Sequence, residues 1–155
     1  MTLIEWIQEN RPGKVQEKSD RFEILHNDGE HSTLWKRLKT IQPESLNLLN
    51  DLYSEFDGID LFSSTFKIAS IKEVKSRGGV RFISTLNDYR KELDVFKPEF
   101  PEKCIVFMMQ QGIGFYSIGI ESGIIYEFDI EFNKISRQFN SIYEIFTDWV
   151  EAIEG

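Results

Sequence analysis

Hydrophobic positions along the chain change period several times, and each change predicts an element. In "TLIEWIQEN", Leu3, Trp6, Ile7 and Asn10 share one side of a helix. Thr2 and Glu5 form a capping box ahead of it, and Arg11-Pro12-Gly13 stops it. Residues 14–21 are polar and read as loop. "RFEILH" reads as a short strand closed by the turn residues Asn27-Asp28-Gly29. "STLWKRLKTI" fits a short helix capped by Ser32 or Thr33. "PESLNLLNDLYSEFDG" reads as a longer helix. Pro43 suits its first turn, and Leu46, Leu49, Tyr53 and Phe56 form its apolar stripe, widened by Leu48 and Leu52. Gly58 is placed to close it in a left-handed conformation.

"IDLFSSTFKIASI" is extended, with Phe66, Ile68 and Ser70 on one face. "STLNDYRKELDVF" is a helix capped by Ser84 or Thr85, and Pro98 and Pro101 punctuate the loop that follows. The period then falls to two. "CIVFMM", "GFYSIGI", "GIIYEFDIEF" and "ISRQF" are four strands. In the third, Ile124, Tyr126, Phe128 and Ile130 share one face, and Ile125, Glu127, Asp129 and Glu131 share the other. "SIYEIFTDWVEAIE" closes the chain as a helix with Ser141 and Glu144 as its capping box. Short turns can join only antiparallel neighbours. The expected fold is α+β: a mostly antiparallel sheet with helices on one face, in a single domain over residues 1–155.

Charge adds a second pattern. The net charge of −8 is uneven: residues 44–66 hold five acids and no base, and residues 104–155 hold eight acids and two bases. Residues 67–103 reverse this, with six acids and nine bases. No basic face dominates, which argues against a nucleic-acid partner. An acidic surface steers basic partners inward. Cys104 is the only cysteine, so an internal disulfide is excluded and a reducing compartment is expected. The first residues lack a basic segment, and no apolar run reaches the ~20 residues of a membrane helix, so a cytoplasmic protein without a membrane association is expected.

Candidate chemistry centres on "QQGIGFYSIGIESGIIYEFD". Gly112 and Gly114 begin a dinucleotide-loop pattern, but Ser117 stands at its third glycine position and a strand follows instead of a helix. The glycines therefore read as strand ends and a hairpin turn, with Gly123 at positive φ. Cys104 heads an apolar run, where a buried thiol is inert. His26 and His31 lack a second ligand cluster and read as solvated, so no metal and no cofactor is expected. Glu127, Asp129 and Glu131 alternate along one strand. They suit a basic partner better than acid–base chemistry, which needs a cleft to hold the carboxylates.

An apolar strand, then "GIGFYSIGIESGIIYEFD", then the Ser-capped "NSIYEIFTDWV" resemble the C-terminal half of the SUKH superfamily, the Smi/Knr-like family of cell-wall-assembly regulators. Tyr116, Gly123, Tyr126, Phe128, Asp129 and the run Ser141–Phe146 match the family's positions, as do Phe56, Asp57 and Gly58 at the end of an earlier helix. The resemblance covers residues 42–153. Gly114-Phe115 stands where the family often has Gly-Asp. The resemblance implies a helix-flanked α+β sheet and a non-catalytic protein. Bacterial members act as immunity proteins that neutralise nuclease or other toxin domains of polymorphic toxin systems. The expected function is therefore binding of a basic toxin domain. The residues expected to meet it are Asp57, Asp60, Tyr116, Glu121, Glu127, Asp129 and Glu131. A regulatory or scaffold protein of the same fold is one alternative. A small hydrolase using the "EFDIE" carboxylates is another.

Overall fold

A computed structural model of the chain describes residues 1–37, 44–72, 74–75 and 82–154. Helix α1 (Leu3–Asn10) starts at the complete Thr2–Glu5 capping box. Strands β1 (Gly13–Glu17), β2 (Arg21–His26) and β3 (His31–Lys36) follow. A 3-10 turn (Glu44–Leu49) and the short helix α2 (Asn50–Tyr53) lead into β4 (Phe56–Leu61) and β5 (Phe66–Ile68). A small hairpin, β6 (Val74–Lys75) with β7 (Phe82–Ile83), precedes α3 (Leu86–Asp94). Then come β8 (Cys104–Gln110), β9 (Gly114–Gly119), β10 (Ile125–Asp129), β11 (Lys134–Phe139) and α4 (Ile142–Glu154).

Nine strands form one antiparallel sheet in the order β1-β2-β3-β4-β5-β8-β9-β10-β11. The alternation of side chains along each strand divides the core in two. In β9, Tyr116 and Ile118 join the larger cluster under α1 and α4, while Phe115 joins the smaller cluster under α3. The helices therefore lie on both faces, where a single covered face was expected. The larger cluster is rich in aromatic rings. Trp6 meets Phe146 at 5.5 Å between centroids, and Phe62 stacks on Trp149 at 4.7 Å.

Three expected elements are corrected. Residues 14–17 are not loop but belong to β1, whose Val15 pairs with Ile24 and packs against the larger core. Residues 32–36 are strand, not helix. Gly29, at φ +92°, turns the chain into a hairpin that sets Leu34 opposite Phe22 and buries Ser32 and Leu34. Ser32, read as a cap, has its hydroxyl engaged by His26 and by the Phe62 backbone N–H. The helix expected to end at Gly58 stops at Tyr53. Leu49, Leu52, Tyr53 and Phe56 are buried at helical spacing, but Phe56 already pairs with Lys36 in the sheet. Gly58, at φ +106°, lies inside β4, where a Cβ would come within 2.9 Å of Ile83 Cγ2. Pro43 lies outside the described residues.

Candidate functional site

The glycine-rich stretch is a hairpin. Gly114 opens β9 at φ +152°, where a Cβ would collide with the Phe128 carbonyl oxygen of the neighbouring strand. Gly123 has φ +75°, and its N–H donates to Gly119 O at 3.0 Å. Glu102 holds the hairpin tip. Its carboxylate accepts from Ser122 N at 3.1 Å, from the Ser122 hydroxyl and from Tyr126 Oη at 2.9 Å. These bonds, the Ser122 hydroxyl first, hold its pKa below the usual carboxylate range.

The alternation expected for β10 holds, but Glu127, the first acid of that face, is not at the surface. Glu127 is 3% exposed. Its carboxylate accepts from Arg137 Nε at 3.1 Å and Nη2 at 2.9 Å, a two-point grip, and from Ser136 Oγ at 2.7 Å. The Tyr116 hydroxyl donates to it at 2.5 Å. The phenol has one proton to give, and Glu127 takes it. Gln110 Oε1, 2.6 Å from the same phenol oxygen, is a second acceptor beside that proton. Arg137 continues to Asp148 of α4 at 2.6 Å and lies over the Phe139 ring. Burial pushes the Glu127 carboxyl up, but the bonds from Arg137, Tyr116 and Ser136 outweigh it and hold the pKa low. Burial first, then Glu127, pushes the Tyr116 phenol well up. Tyr116 and Glu127 therefore tie three strands to α4 and are removed from any contact surface.

The other expected residues are scattered. Asp57 and Asp60 are half-buried on β4. Asp57 accepts from Ile71 N at 2.6 Å, and Asp60 from Ser64 Oγ at 2.9 Å. Glu121 is exposed at one end of the β9–β10 hairpin. Asp129 and Glu131 lie at the other end of β10, where Asp129 accepts from the N–H groups of Glu131 and Phe132. The expected set thus forms no single patch.

His26, expected in solvent, is 2% exposed and packs on Phe62. A carbonyl can only accept, so Nδ1–H donates to Arg11 O at 2.6 Å. Nε2 is then left to accept from Ser32 Oγ at 2.7 Å. The Ser32 oxygen accepts in turn from Phe62 N, where the backbone enters three consecutive left-handed residues, Phe62, Ser63 and Ser64. The histidine is a structural brace for that turn.

The acidic surface that the structure does assemble lies on α1 and α4. Trp6 meets Tyr143 at 6.5 Å and Phe146 at 5.5 Å, which sets the two helices side by side. Buried positions Leu3, Trp6 and Ile7 on α1 and Ile142, Ile145, Phe146 and Val150 on α4 face the sheet. The outward positions are Glu5 and Glu9 on α1, and Glu144, Asp148, Glu151 and Glu154 on α4, all exposed, and neither helix contains a lysine or arginine. Burial, then Asp51 and Glu5, push the Tyr143 phenol between them up to about 12. This patch was legible as acids at i, i+4 and i+7 without intervening bases, but only once the two helices are known to be neighbours.

Pro12 and Gly13 end α1, and Arg11 bonds back across the gap to Asp28 at 3.1 Å and Glu154 at 3.7 Å. No helix among the described residues is long and apolar enough to cross a membrane. No protein-family model matches the chain, and no curated protein or solved structure is similar to it.

Proposed function

We propose that the chain is a non-catalytic protein-binding module that offers the acidic face of α1 and α4 to a basic partner. The resemblance noted in the sequence makes the partner a toxin domain, and the chain its immunity protein. The observation that carries this reading is the pairing of two adjacent helices whose outward positions include Glu5, Glu9, Glu144 and Glu151, with no basic residue on either helix, while Asp148 and Glu154 beside them are ion-paired to Arg137 and Arg11. Such a surface attracts a basic protein over a distance of about a Debye length and penalises an acidic one. The engagement of Glu127 by Arg137, Tyr116 and Ser136 also supports a binding role over the hydrolase alternative, because that carboxylate is not free to exchange a proton with a substrate.

The proposal requires a toxin domain encoded beside the chain, and co-expression with that domain is its test. A complex that survives purification, together with rescued growth, is the expected result. No complex and no rescue would remove it.

A further inference from the structure

The face of the sheet opposite α1 and α4 carries a separate feature. Between α3 and β8 lies a cleft of about 560 Å³, within the range of small-molecule sites. Leu86, Leu93, Phe100 and Val106 contribute apolar walls. Ser117, paired with Val106 across β8 and β9, also lines it. Ser117 is 1% exposed, and its hydroxyl has no hydrogen-bond partner. A buried hydroxyl without a partner is unfavourable, and a ligand that bonds to it would relieve that cost. Arg90 and Lys97 stand at the exposed rim with Asp94. Arg90 donates to Asn87 Oδ1 at 2.7 Å, and neither cation has a carboxylate within ion-pairing distance among the described residues.

We propose that this cleft binds a small amphipathic carboxylate with a second polar group on its apolar body. The carboxylate meets Arg90 and Lys97 at the rim, the hydrocarbon lies on Leu86, Leu93, Phe100 and Val106, and the inner polar group bonds to Ser117. This occupant satisfies the orphan hydroxyl and both unpaired cations together. A neutral apolar ligand would satisfy neither. The site lies across the sheet from α1 and α4 and is independent of the protein-binding reading.

Linear ω-hydroxy acids of about six to about twelve carbons, sized to such a cleft, are the probes, with the plain acids and alcohols of equal length as controls. Binding is read by calorimetry and by protection of Cys104, which lines the cleft and is the chain's only cysteine. Burial raises that thiol's pKa to about 11, so alkylation is followed in alkaline buffer. One hydroxy acid should bind, slow alkylation, and exceed its plain acid by about fivefold, the worth of one hydrogen bond. Ser117→Ala should erase that preference. Arg90→Gln with Lys97→Gln should weaken both acids about tenfold or more and leave the alcohol unchanged. Absence of binding by every acid, equal binding of acid and alcohol, or binding indifferent to both variants would overturn the proposal.

Discussion

Glu127 is a charge in a place where a sheet usually buries hydrocarbon, and it persists because every oxygen is occupied. Its folded-state pKa lies below that of a free carboxyl, so its contribution is complete above the ordinary carboxylate range. That contribution is lost as pH falls through the lowered value. Glu127→Gln should cost about 1–2 kcal/mol at neutral pH, and the gap to the native chain should close below about pH 4 in urea unfolding. A gap that stays constant down to strong acid would contradict the charged network. The two glycines of "GIG" make a second contrast. Gly114→Ala should lower stability by more than about 2 kcal/mol, because its Cβ meets backbone in β10. Gly112, at φ +82° with open space around it, should accept asparagine at a cost of well under about 1 kcal/mol by thermal unfolding. From sequence the hairpin was legible in the glycines, but not which glycine meets a neighbouring strand. That depends on register.

At the scale of elements, capping boxes and strand alternation proved the most readable signals. Thr2 and Glu5, and Thr85 with Asp88, each make both reciprocal bonds. Thr85→Ala should therefore cost about 1 kcal/mol, measured by chemical unfolding. Ser141 accepts from Glu144 N at 3.3 Å, but the Glu144 carboxylate accepts from Asn140 N instead of completing the box on Ser141. The misread elements share a physical cause. Residues 32–36 carry a helix-cap signal, yet the Gly29 turn delivers them to β2, and pairing overrides local preference. The stripe at Leu49, Leu52, Tyr53 and Phe56 is buried as a helical pattern requires, but Phe56 is drawn into β4 by Lys36. His26 read as solvated because its three partners, Arg11, Ser32 and Phe62, come from different elements.

For the whole molecule, the acidic balance of −8 was plain in the sequence, while its location was not. The expected residues spread over β4 and both ends of β10, whereas α1 and α4, far apart in the chain, come together through Trp6, Tyr143 and Phe146. If that face steers a basic partner, raising salt from about 50 to about 500 mM should slow association about tenfold while dissociation changes less, as stopped-flow mixing would show. Neutralising Glu121, Asp129 and Glu131 should affect binding far less than neutralising the helical set. The central claim is tested most directly by replacing Glu5, Glu9, Glu144 and Glu151 together with glutamine, which keeps the capping positions functional. If, as proposed, a toxin domain is encoded beside the chain, then in cells that co-express it the native chain should restore growth and the fourfold variant, still folded by circular dichroism, should not. A folded variant that rescues growth as well as the native chain would contradict the claim.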